Sequence, residues 1–158
     1  MSCGIALVAS LLLTDPSVAL AASQPMAVAG APVSVASEPL FSDIVSRSRS
    51  LKAIVDGWMV SGAADADGFV TGPTFAAFKT DAHALSERDM QGHLILKERG
   101  TDGDLKCILR GISEDMTLKV QAVEAAPTAE ARRGALNDLS YLLNDNDEVI
   151  TSPPAPAA

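Results

Sequence analysis

The sequence predicts a mainly α protein, a small bundle of four or five helices. Three observations carry that expectation. Aromatic residues make up only 4% of the 158-residue chain although 47% is hydrophobic, so Ala, Leu, Ile and Val must build the core. Such residues suit close helix packing better than a large sheet. Apolar positions also recur at three- and four-residue spacing through most of the chain. Finally, the Gly, Pro, Ser and Thr that interrupt these stripes fall where helix ends belong.

Taken in order, Ile44, Ser48, Leu51, Val55 and Trp58 form the first stripe, widened by Val45, Ile54 and Met59, and Gly62 ends it. A second helix is predicted from Thr71, with Pro73 in its first turn, where a missing N–H costs nothing. Its inward positions are Phe75, Phe78, Ala82 and Leu85. Ser86-Glu87-Arg88-Asp89 resembles a capping box that restarts a helix through Met90, His93 and Leu94. Residues 93–110 carry two patterns. Leu94-Ile95-Leu96 and Leu105–Leu109 flank Gly100–Asp104, whose Asp-Gly is a hairpin signal, giving an α+β alternative with one hairpin at 93–110. Leu105, Ile108, Leu109 and Ile112 nonetheless match the helical period, and helix is the reading adopted. Ser113-Glu114-Asp115 offers a further helix start, with Met116, Val120 and Val123 inward and Pro127 as the stop. Thr128 caps a final helix with Ala131, Ala135, Leu139 and Leu142 on one face, running out in Asn144–Asp147.

The ends of the chain have a different character. Ile5–Leu13 is an uncharged apolar run of signal-peptide length, and Ala19-Leu20-Ala21 places small residues at a peptidase site, so residues 1–21 are predicted to be a signal peptide. The short segment before the run lacks the usual Lys or Arg. A membrane span needs about twenty apolar residues, and Asp15 and Pro16 break the run too early, so none is expected in the mature chain. Residues 22–38 read as a flexible Ala/Pro linker, 39–150 as the helical domain and 151–158 as a disordered Pro/Ala tail. Cys3 leaves with the signal, so Cys107 is the one cysteine of the mature chain and packing alone must stabilise the domain. The expected location is periplasmic or secreted.

Between the first two helices, Asp65 and Asp67 precede Gly68, Val70 and Thr71. Residues 63–74 resemble an EF-hand loop: Asp65 and Asp67 take its third and fifth positions, Gly68 the sixth, Val70 the eighth and Thr71 the ninth. The resemblance implies a weak Ca²⁺ site built from the Asp65 and Asp67 carboxylates, the Phe69 carbonyl and the Thr71 hydroxyl. Ala63 and Thr74 stand where the family has its first carboxylate and its final Glu, although a hard cation takes about six to eight oxygens. Residues 143–150 fit the same register, with Asp145 and Asp147 at positions three and five, but Glu148 replaces the turn glycine.

Other chemistry is sparse. His83 and His93 are the only imidazoles; either, with Met59, Met90 or Met116, defines a haem-binding alternative, though no Cys-x-x-Cys-His attachment motif exists. There is no Gly-x-Ser-x-Gly elbow, no His-Glu-x-x-His and no phosphate-cradling glycine loop, so an enzyme is not expected. A formal charge of −8 argues against nucleic acid or anionic lipid as partner, since both need clustered cations. The expectation is an acidic, exported helical module that binds an unknown protein partner, as an inhibitor, chaperone-like or envelope-associated factor, and needs no cofactor.

Overall fold

The computed structural model of the protein describes residues 34–101 and 103–152. The expected signal peptide, the part of the expected linker before Ser34 and the expected tail beyond Ser152 lie outside the described residues. Four helices fill them: α1 Pro39–Ser61, α2 Pro73–Arg99, α3 Gly103–Ala125 and α4 Ala129–Thr151. Two short 3₁₀ turns, Ala63–Asp65 and Phe69–Thr71, lie between α1 and α2. No strand occurs among the described residues, so 93–99 and 103–110 are helical and the hairpin alternative is excluded.

Local chemistry accounts for the helix ends. Gly62 closes α1 at φ 74, a left-handed conformation that Gly adopts without a Cβ clash. Pro73 opens α2, two residues later than the expected Thr71, at the position where proline loses no hydrogen bond. The Thr128 hydroxyl accepts from the Ala131 N–H at 3.1 Å, which caps α4.

Two expected helix starts are missing because their serines serve the core instead. Ser86 lies inside α2 and Ser113 inside α3, both buried. Ser86 Oγ donates to the Ser113 carbonyl at 2.9 Å, and Ser113 Oγ donates to the Ser86 carbonyl at 2.8 Å. Each hydroxyl is thus satisfied across the helix pair, and neither is needed as a cap. The helices run on, and Leu94, expected inward after a restart, is 54% exposed.

Polar contacts along the seams give the topology. Arg49 meets Asp147, Ser140 meets Asp56 and Arg133 meets Asp65, so α1 and α4 run antiparallel. Lys79 with Glu124, Ser86 with Ser113 and His93 with Lys106 set α2 against α3 in the same way. With α1 also on α2 and α3 also on α4, the helices form an up-down-up-down ring. The core takes Ile44, Val45, Ser48, Leu51, Val55 and Trp58 of the first stripe, but Ile54 is 40% exposed and Met59 half-buried. Phe75, Phe78, Ala82, Leu85, Met116, Val120 and Val123 are also buried, as their spacing predicts.

Helix α4 departs from expectation in register and length. Leu136, Leu139, Leu143, Asn146 and Ile150 face inward rather than the face of Ala131, Ala135 and Leu142. The helix continues through Asn144–Asp147 to Thr151, so the second loop-like fragment is helical. Asn146 is the reason its run reads falsely. Its Nδ2 donates to both oxygens of Asp89, at 3.1 and 3.0 Å, across the bundle diagonal from α4 to α2. Residues 34–38, assigned from sequence to the linker, also engage the bundle. Val35 is buried and the Glu38 carboxylate accepts from Arg99 at 2.8 and 2.7 Å.

Candidate functional site

The α1–α2 connection holds all four residues of the expected calcium site, Asp65, Asp67, Phe69 and Thr71, and its backbone is tightly committed. After Gly62 the chain makes one 3₁₀ turn, then Gly68 at φ 79 redirects it into the second. Asp65 N donates to the Gly62 carbonyl at 3.0 Å, and Thr71 N to that of Gly68 at 3.1 Å. Side chains anchor the turns to the bundle. Ala64 is fully buried, and the Phe69 ring stands edge-on to Trp58 at 5.0 Å and 5.3 Å from Phe75. Trp58 also meets Phe78 at 5.0 Å, so four of the chain's aromatic rings close this end of the core.

The candidate ligands are brought into one loop but are largely used by protein groups. Both Asp65 carboxylate oxygens accept from the Arg133 guanidinium, with Nε to Oδ1 at 2.6 Å. That hydrogen bond holds the Asp65 carboxyl below the usual carboxylate range. The Phe69 carbonyl accepts from Gly72 N at 3.2 Å, and the Thr71 hydroxyl donates to the Gly68 carbonyl at 2.9 Å. Asp67 is exposed. Arg132, beside Arg133 on α4, donates to the Ala64 carbonyl at 2.7 Å and lies 5.8 Å from the Phe69 ring centre. Two guanidinium groups therefore supply the positive charge that an EF-hand loop draws from its ion. No cluster of three or more His, Cys, Asp or Glu suited to a metal occurs among the described residues.

Sequence reasoning missed both arginines. One signal was legible: Arg132 and Arg133 sit near the N-terminus of α4, the helix end where a cation is disfavoured unless something nearby compensates it. That something is Asp65 and the Ala64 carbonyl.

A calcium titration tests the loop directly. Calcium at about ten times its Kd would add roughly 1.4 kcal/mol, a melting shift of several degrees in a domain of this size. With Arg133 on Asp65, the expected wild-type shift at millimolar calcium is nil. Arg133→Ala, which releases the carboxylate, is the variant in which a shift would first emerge. A calcium-specific rise in wild type that disappears in Asp65→Ala/Asp67→Ala would instead make the ion the loop's ligand.

The remaining candidates are scattered. His83 is exposed, 3.6 Å from Glu87, whereas His93 is buried with Nδ1 2.6 Å from the Lys106 carbonyl. On one continuous helix their ten-residue separation is about 15 Å of axis, so they cannot share an ion. Met116 is core, while Met59 and Met90 are half-buried, as is Cys107. His83 and Met116 do line one groove between α2 and α3, of about 170 Å³. A groove of about 210 Å³ separates α1 from α2 near Ile54, and one of about 250 Å³ lies by Lys119, Asp138, Tyr141 and Leu142. Small-molecule pockets are commonly about 300–1,000 Å³ and enclosed. Beside the third groove Tyr141 is 69% exposed, and Lys119 bridges Asp138 at 3.1 Å. No helix among the described residues is long and apolar enough to cross a membrane. No protein-family model, curated protein or solved structure matches the chain.

Proposed function

We propose that the chain is an exported, non-enzymatic helical module, periplasmic or secreted, that binds a protein partner through a helix face. The observation that carries this reading is Tyr141 on α4. A large amphipathic ring stands out of the bundle beside half-buried Leu142, with the Lys119–Asp138 ion pair at its edge. Tyrosine presents much contact area at low entropic cost, and an apolar centre with a charged rim is how protein-binding surfaces are arranged. The bundle spends its other five aromatic rings on packing: Phe41, Phe75, Phe78 and Trp58 are buried, and half-buried Phe69 packs on Trp58 and Phe75. Export rests on the Ile5–Leu13 run and the Ala19-Leu20-Ala21 site.

The test is comparative capture from an envelope extract. Wild-type protein is expected to retain one partner in stoichiometric amount, and Tyr141→Ala to lose it with a melting temperature unchanged within about 2 °C, as for most exposed positions. Equal capture by both proteins would remove Tyr141 from the interface. A wild-type monomer that retains nothing would count against partner binding altogether.

A further inference from the structure

Most polar groups in this bundle sit at its seams, but one ionisable group sits in its middle. Asp89 and Asn146 are each 0% exposed and meet across the α2–α4 diagonal, where the four-helix ring makes few other contacts. Asn146 Oδ1 is buried with no hydrogen-bond partner among the described residues, so the amide already spends its donor on Asp89 and nothing answers its acceptor. A carboxylate here would be a buried charge facing a neutral amide, an arrangement that favours the neutral acid strongly.

The charged groups on every neighbouring helix turn elsewhere. On α1, Asp43 pairs with Arg47 at 2.8 Å and with Arg88 of α2 at 3.5 Å, and Arg49 pairs with Asp147 at 2.7 Å. On α3, Arg110 pairs with Glu114 at 3.5 Å, and on α2 itself His93, one turn beyond Asp89, has its Nδ1 2.6 Å from the Lys106 carbonyl. On α4, Asp145 and Asp147 flank Asn146, and Asp147 is held at the surface by Arg49. None of these is among the influences on the Asp89 carboxyl; burial raises it and only the Asn146 hydrogen bond opposes.

We propose that Asp89 and Asn146 form a proton-operated latch across the bundle, closed while the Asp89 carboxyl is neutral and loosened when it ionises. A neutral acid accepts the amide N–H on its carbonyl oxygen and carries no charge into the core, so the pair costs far less to bury than a carboxylate. Ionisation leaves an uncompensated charge between α2 and α4, and the helices can hydrate it only by parting. The latch tightens in acid and loosens toward alkali, opposite to the surface carboxylates Glu38, Asp56 and Asp65, whose partners hold them ionised.

Burial pushes the Asp89 carboxyl up to about 8, against about 3.9 in an unfolded chain. Below the unfolded value both states keep the proton and the latch contributes fully. Between the two values the unfolded chain releases a proton that the folded chain retains, so each pH unit multiplies the unfolding constant by about ten. Above about 8 both states are ionised and the dependence flattens.

The test is denaturant unfolding of the purified protein from pH 5 to 9, beside Asp89→Asn, which keeps the shape and removes the proton. The unfolding constant of wild type, divided by that of the variant, is expected to rise by at least about a hundredfold between pH 5 and 8, discounted from the full tenfold per unit for partial hydration. Taking the ratio cancels the pH dependence that the two proteins share. In parallel, ¹³C NMR of the wild-type Asp89 carboxyl should give a midpoint far above the ordinary carboxylate range, with the Asn146 side-chain amide moving at the same pH. If Asp89→Asn fails to fold, the NMR midpoint decides alone. A midpoint below about 5, or parallel pH profiles for the two proteins, would overturn the latch.

Discussion

Phe75→Ala is expected to cost about 3–5 kcal/mol, a large part of the stability of a domain this size. Phe75 is 0% exposed and lies within 5.3–6.1 Å, ring centre to ring centre, of Phe69, Trp58 and Phe78. Truncation therefore removes a buried ring and leaves a cavity whose walls are rings fixed by their own contacts. The same change loosens the 3₁₀ connection, because Phe69 loses one of its two ring partners there. Urea unfolding followed by helical circular dichroism measures the cost: the midpoint should fall sharply with the slope unchanged. A loss under about 1 kcal/mol would mean that this end of the core collapses freely onto the gap, and that the aromatic cluster is not what fixes the connection.

Gly92→Val should destabilise the bundle by about 2–3 kcal/mol through overpacking. Gly92 is buried in mid-α2, where glycine is ordinarily a weakness of about 1 kcal/mol relative to alanine. Its place is set by close approach: a Cβ there would meet Leu109 Cδ1 at 3.1 Å, Phe41 Cε1 at 3.3 Å and Ile44 Cδ1 at 3.6 Å. Alanine sets its gain in helix propensity against a few tenths of an ångström of side-chain movement, and the expected net change is within about 1 kcal/mol. Valine adds two methyl groups on a stiff rotamer and must push α1 or α3 away. Thermal unfolding of the two variants separates these outcomes, and a valine variant as stable as wild type would show that the α1–α2–α3 contact has slack.

Of the candidate site, the loop was legible in the sequence and its electrostatics were not. Gly68 stands at a turn that needs positive φ, and Thr71 does fold back on the loop, so the local pattern carried real conformational information. Arg133 is 68 residues from Asp65, and no local spacing can place it on that carboxylate. Tyr141 lies off both the expected and the observed inward face of α4, so its exposure was legible, but the Lys119–Asp138 pair beside it joins two helices and was not.

The sequence by itself determined the helices and most of their ends. Gly62, Pro73 and Thr128 act through their own backbones or through residues three positions away, and a stripe such as Ile44, Ser48, Leu51 and Val55 needs only its period to declare a buried face. Tertiary structure alone decided what the polar residues do. Ser86 and Ser113 carry the local signature of caps, yet each finds the other's carbonyl across the α2–α3 seam and stays in mid-helix. Asn146 sits in a run that reads as a solvated end, yet Asp89 draws it inward and α4 continues for another turn. A polar side chain is satisfied equally well by water, by its own backbone or by a partner far along the chain. Its sequence neighbours cannot distinguish these, and only the packing that brings the distant partner within 3 Å selects among them.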